Sequence, residues 1–385
     1  MAFFEPFRLE RFFARWEFAA PHLLCCSDCE SVPVADLAAL DPGLPERLSS
    51  LRLGYTETRG APSLREAIAG EYPGASPEEI LVHAGAEEAI LNLCLALLSR
   101  GDRVVVNAPC YQSLAEIPRA LGCEVLPWEW RKTGGRWALD PGDLDRILRS
   151  GPDPKLIVLN APHNPTGGLP TRAEFDAIVA SARRVGAVVL MDEVYRRLEH
   201  DPARRLPSVR DAYENGVALD VLSKHAGLAG LRIGWLATRR ADILDAVAVV
   251  KDYNSICPSG PSEVIAESAI RHLSALVDRN QRIVADNLAL LRRFFAGRPD
   301  FAEWTEPEGS SVAFPRLAFP GDAETLSERL VREIGVLILP GSFYGYDPRY
   351  FRIGYGRASM PASLARLEEW LDKGGSAFLK EIHTG

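Results

Sequence analysis

The stretch VLSKHAGLAGLRIG, residues 221–234, puts an amine (Lys224), a hydroxyl (Ser223) and a guanidinium (Arg232) on one short glycine-rich segment. Residues of comparable chemistry follow four other apolar runs. ILVHA leads to Gly85, Ala86 and Glu87 at a helix-like start. RVVVNAP leads to Tyr111, KLIVL to NAPHNPTGG with Asn164, and AVVLM to Asp192 and then Tyr195. Free N–H groups at a helix start favour an anion, and a desolvated amine can serve as nucleophile and base. Singly, each feature has a plain explanation: a helix start, a packed ring, an N-cap, a turn, a solvated lysine. Their convergence on strand ends is the signal.

An amine, a carboxylate, an anion cup and a flat ring together suit pyridoxal 5′-phosphate. That cofactor needs an amine for its aldehyde, a carboxylate for its ring nitrogen, a phosphate cup and a surface for its ring. No P-loop or GxGxxG fingerprint competes, since no glycine lies between Gly85 and Gly101.

The elements that must position these residues alternate between about 60 and 240. Strands are expected at EILVHA, RVVVNAP, KLIVLNAP, AVVLMDE, ALDVLS and IGWLAT, short runs rich in Val, Ile and Leu as in strands buried on both faces. Helices are expected at EEAILNLCLALLSR, closed by Gly101, and RAEFDAIVASARRVG, closed by Gly186. The pattern implies an α/β fold with a mostly parallel sheet flanked by helices, which binds ligands at the carboxyl ends of its strands. This large domain is expected over 46–275. A smaller α+β domain would come from both chain ends, 1–45 plus 276–385, with a long helix from Leu273 towards Phe295 and a last one from about Ser363 to Lys380. Residues 1–18 read as an amphipathic helix whose Phe12, Phe13 and Trp16 pack on the body or on a partner.

With 385 residues, 47% hydrophobic and 25% charged, the composition is that of an ordinary globular protein. No apolar run approaches bilayer length. Glu5, Glu10 and Glu17 among the first arginines argue against a leader, so a cytoplasmic location is expected. A net charge of −8 gives no case for nucleic acid or a membrane as partner. Seven cysteines argue against a disulfide framework. Cys26 and Cys29 have CxxC spacing, with Cys25 and His22 beside them, but no second pair follows. Buried thiols are expected there, and no metal.

NAPHNPTGG, MDEVYRRL and SKHAGLAGLRIGW, in that order and spacing, resemble the class I/II aminotransferases, fold type I enzymes dependent on pyridoxal phosphate. The likeness extends to LGYTETRGAPSLREAIA and YFRIGYGRA, and so over nearly the whole chain. It implies that Lys224 is the Schiff-base lysine and proton shuttle. Asp192 would pair with the pyridine nitrogen, Tyr195 and Asn164 would contact the 3-oxygen, and Asn164 would help bind substrate. Tyr111 would stack on the ring, while Ser223, Arg232 and the backbone of Ala86 and Glu87 would hold the phosphate. Arg352 would clamp the substrate α-carboxylate, as a planar fork of donors suits. Tyr55 would reach a neighbouring subunit's phosphate site, implying a homodimer with shared active sites.

Two places depart from the family pattern. Val221 and Leu222 stand where relatives carry a further hydroxyl before the lysine. The segment CCSDCESVPVADLAAL replaces one that often offers a glycine near substrate. Asp28 and Glu30 there would face the substrate, or else Ser31 would cap a helix. Arg8 and Arg357 are candidates for a second carboxylate. The resemblance implies an amino-acid aminotransferase with amino-acid and keto-acid substrates and ping-pong kinetics. Alternatives are a lyase or cyclase on the same scaffold, since CSDCESVPVADLAAL also resembles capreomycidine synthase-like cyclases acting on a hydroxylated arginine. A non-catalytic ligand-binding relative is a third, disfavoured by the intact Lys224 and Arg352 and by the lack of a basic helix-turn-helix pattern.

Overall fold

The protein is described by a computed structural model covering residues 3–375. Its centre is a seven-stranded sheet built from β1 (Ile80–His83), β2 (Arg103–Ala108), β3 (Glu124–Glu129), β4 (Leu156–Asn160), β5 (Val188–Asp192), β6 (Gly216–Val221) and β7 (Gly234–Ala237). The order across the sheet is β1-β7-β6-β5-β4-β2-β3. β2 to β6 run parallel, and β7 is antiparallel to both its neighbours. Every residue of β4, β5 and β6 is buried, which is why these runs are continuously apolar rather than alternating.

All six expected strands are present, with IGWLAT forming the antiparallel one. β3 was not among them. It lies at the edge, is largely exposed and carries Pro127, so it lacks the apolar signature of a central strand.

Helices cover both faces. One runs Arg172–Val185, opened by a Thr171–Glu174 capping box and closed by Gly186 at φ 65. The helix after β1, Ala86–Leu97, stops short of the expected Gly101, because the chain turns extended at Leu98. Gly101, at φ 90, shapes the turn that follows. The long helix spans Leu273–Gly297. The last helix is Met360–Trp370, and the expected continuation to Lys380 lies outside the described residues.

Both chain ends join in small sheets. His22–Leu23 pairs in parallel with Val336–Leu337. A three-stranded sheet has β8 (Val312–Ala313) and β9 (Leu339–Pro340) on either side of β10 (Phe351–Gly354). The first helix, α1 (Arg8–Trp16), packs inward as expected: Leu9 is buried, Phe12, Phe13 and Trp16 are partly so, and Phe12 lies 4.9 Å from Phe343. Ser31 caps no helix. The helix after it is Val34–Leu40, entered through Pro33 with no side-chain cap. Among the described residues no helix is long and apolar enough to cross a membrane.

Candidate active site

A cavity of about 410 Å³ opens at the carboxyl ends of the parallel strands, the place that α/β topology reserves for ligands. Its floor comes from short turns directly after strands. Asp192, the last residue of β5, is 7% exposed, and burial lifts its carboxyl to about 6 while the Val194 N–H and the Lys224 charge oppose the rise. Tyr195 follows on the same turn. It is buried, which pushes its phenol up, and its hydroxyl is among the buried polar atoms without a hydrogen-bond partner.

Asn164 is placed by a chain of amides. Asn107 Oδ1 accepts from Asn160 N (2.7 Å), and Asn160 Oδ1 accepts from Asn164 N (2.7 Å). The Asn160 side chain also donates to the carbonyl of Asp192 at 3.0 Å, tying the ends of β4 and β5 together. Neighbouring His163 is stacked 4.7 Å from Trp130 and bonded at both ring nitrogens, to Thr166 Oγ1 and the Pro109 carbonyl. The rigid NAPHNPTGG turn rests on these contacts.

After β6, Ser223 and Lys224 enter the cavity. Lys224 Nζ donates to Ser27 Oγ at 3.0 Å and lies 6.0 Å from the Tyr195 ring centroid. Burial draws its ammonium below the ordinary lysine range, with the charges of Asp28 and Asp192 opposing and that of Arg352 adding to it. Arg232 takes the left-handed conformation, φ 55, and its guanidinium packs on Gly85 so closely that any Cβ there would collide with it. Ala86 and Glu87 begin the helix at this point, and Tyr111 lines the adjoining wall, its hydroxyl donating to Glu10 Oε1 at 2.8 Å.

Arg352, on β10, is 1% exposed. Its Nε and Nη2 donate to the Cys25 carbonyl (3.0 and 2.7 Å), and Nη1 donates to the Tyr344 hydroxyl (2.6 Å) and Asn164 Oδ1 (3.2 Å). Tyr344 donates to Asn164 as well, at 3.0 Å. Residues after strands of the large sheet thus meet a residue from the far end of the chain.

Of the expected site residues, ten line this one cavity: Ala86, Glu87, Tyr111, Asn164, Asp192, Tyr195, Ser223, Lys224, Arg232 and Arg352. Tyr55 does not; it is 91% exposed elsewhere on the chain. In the N-terminal segment Asp28 faces the cavity and forms a bidentate pair with Arg357, at 3.0 and 2.8 Å. Glu30 instead accepts from the backbone N–H of Ala358 and is not part of the lining. Cys25, Cys26 and Cys29 are buried thiols, and Cys26 borders the cavity.

Sequence reasoning missed Tyr344, Ser27, Glu10 and Glu17. Tyr344 sits in GSFYG with no marker beyond its glycines. Glu10 and Glu17 figure in the sequence only as acids arguing against a leader, although Leu9, Glu10 and Phe13 of α1 and Glu17 just after it line the cavity. Burial raises the Glu17 carboxyl, with Arg357 opposing.

The family description "aminotransferase class I and II" matches residues 28–367. Capreomycidine synthase from Streptomyces vinaceus is 30% identical over 92% of this chain and 90% of its own. A pyridoxal-phosphate-dependent aminotransferase from Streptococcus suis superposes with a TM-score of 0.90 at 30% identity, covering 96% of this chain and 98% of that one. The pyridoxal-phosphate-dependent cyclase OrfR gives 0.88 at 29% identity, over 96% and 97%.

Proposed function

The chain belongs to the class I and II aminotransferases, a pyridoxal-phosphate-dependent enzyme family, and on that premise we propose that it moves an amino group between an L-amino acid and a 2-keto acid. The observation that carries this reading is the meeting of Lys224, Asp192, Tyr195 and the Asn164–Arg352 pair in one cavity. With it we propose a cofactor-binding body over 46–275, a smaller unit from 1–45 plus 276–385, and a cytoplasmic homodimer in which the exposed Tyr55 completes the second copy's site.

The donor set fits the cofactor. The unpartnered Tyr195 hydroxyl is a free donor for a ring oxygen. The close packing of Arg232 on Gly85 leaves a guanidinium beside the N–H groups that start the Ala86–Leu97 helix, a cradle for a phosphate. When bound, pyridoxal phosphate supplies an aldehyde for the amino group and a protonated ring that accepts the electron pair from Cα.

The residues then divide the work. Asp192 keeps the proton on the ring nitrogen, and its burial concentrates that interaction. Lys224 would hold the cofactor's aldehyde and would move the proton at the substrate Cα. Its lowered pKa keeps more of it in the neutral form that can accept a proton. Arg352, oriented by the Cys25 carbonyl and Tyr344, binds the α-carboxylate and fixes which bond at Cα is aligned for cleavage.

A second reading, elimination or ring closure on the same scaffold, is supported by the acidic wall. Glu10, Glu17 and Asp28 line the cavity, and among the described residues only Asp28 of the three holds an ion pair, to Arg357, which suits an amino acid with a cationic side chain. The similarity to a capreomycidine synthase and to a cyclase points the same way. A single turnover without added keto acid separates the two. Transamination releases one keto acid per site and leaves the amino group on the cofactor as pyridoxamine phosphate; release of ammonia or of a modified amino acid with the cofactor still in its aldehyde form overturns it in favour of elimination or cyclisation.

A further inference from the structure

Resting on the cofactor reading above, we propose that Glu87 makes retention of the phosphate pH-dependent, its neutral carboxyl admitting the anion and its ionised form opposing it. Glu87 stands on the first turn of the Ala86–Leu97 helix and lines the cavity beside Arg232. An ionised carboxylate is itself drawn to helix N–H groups and a guanidinium, so it competes with and repels a phosphate held by the same cradle. Its Oε2 accepts from Ser113 Oγ at 3.0 Å, the one side-chain hydrogen bond it makes among the described residues.

The groups facing Glu87 come from four directions. Glu10 approaches from α1, Asp192 from β5, Tyr111 and Ser113 from the helix start after β2, and Arg232 from the loop before β7. Burial lifts the carboxyl to about 7; the charges of Glu10 and Asp192 add to the rise, and the Ser113 hydrogen bond and the Arg232 charge oppose it. It therefore changes state in the physiological range. A group with so high a folded pKa is protonated below about 7 and loses that proton as the pH rises through it.

The test uses the full chain stripped of cofactor and pyridoxamine 5′-phosphate as probe, since this compound cannot bond covalently to Lys224. Dissociation constants are measured by equilibrium dialysis for the native protein and Glu87→Gln at pH 6 and pH 8.5. The amide mimics the neutral carboxyl and keeps the Ser113 contact. The two proteins should bind alike at pH 6, while at pH 8.5 the variant should bind on the order of tenfold more tightly. Taking the ratio cancels the probe's own phosphate titration. An equal ratio at both pH values overturns the inference and leaves the cofactor reading intact. Failure of the native protein to bind the probe at both pH values overturns both.

Discussion

The floor of the cavity, at the ends of β2, β4, β5 and β6, and its N-terminal wall, residues 9–28, carry similar numbers of charged groups but are assembled differently. On the floor each side chain follows its strand by a few residues, and the bonds that orient it span short distances, as from Asn160 to Asn164. The wall is held by contacts across almost the whole sequence. Cys25 accepts from Arg352, 327 residues away, and Asp28 pairs with Arg357, 329 residues away. At Gly227, φ 71, a Cβ would run into the Glu30 carbonyl, so the segment just after the wall presses on the loop that carries Lys224. Under the proposed function the comparison implies a division of labour: the floor would set the chemistry, and the wall would select what the chemistry acts on.

Breaking the floor should therefore abolish turnover with every substrate. If Lys224 is both anchor and proton carrier as proposed, Lys224→Ala should lower kcat on the order of 10⁴-fold with all amino acids alike. Steady-state assays over a substrate panel check this; a loss confined to some substrates would breach the division. Asp192→Asn should cost about 10²–10³-fold in kcat. The same change should stabilise the cofactor-free protein at high pH. An acid whose folded pKa is raised to about 6 favours folding while protonated, and that contribution is lost as the pH climbs from about 4 through 6. Melting of the cofactor-free variant at pH 8 should thus lie above the native value, by about 2–4 °C, and the difference should vanish at pH 4.

Breaking the wall should change preference and spare the chemistry. Glu17 holds no ion pair among the described residues, so Glu17→Gln removes its charge without stranding a partner. We expect about a tenfold lower kcat/KM for amino acids with cationic side chains and less than about a twofold change for neutral ones. Equal losses for both classes would place Glu17 in the common machinery and sharpen the boundary between wall and floor.

The same division explains what could be read in the sequence. Buried parallel strands announce themselves as continuous apolar runs, and each floor residue stands directly after one, so Asp192, Tyr195, Asn164, Ser223 and Lys224 were legible with the strands that carry them. β3 was not, because an exposed edge strand containing Pro127 has no such run. Nor were Glu10, Glu17 and Ser27 legible as lining residues. On an isolated helix or loop they look like solvated polar groups, and only tertiary contacts, of Glu10 with Tyr111, of Phe12 with Phe343 and of Ser27 with Lys224, place them at the cavity. Asp28 was legible as a candidate, but its pairing with Arg357 depends on the tertiary fold. Ser31 misled for a local reason, since Pro33, with its fixed backbone angle, sets the helix start instead.

The central claim is that Lys224 carries the cofactor on this floor. Reducing the cofactor-loaded protein with borohydride and mapping its peptides by mass spectrometry tests that claim most directly. The account predicts a pyridoxyl-phosphate group on the peptide containing Lys224 and on no other lysine, lost in Lys224→Ala. A group on a different lysine, or none after full loading, would contradict it.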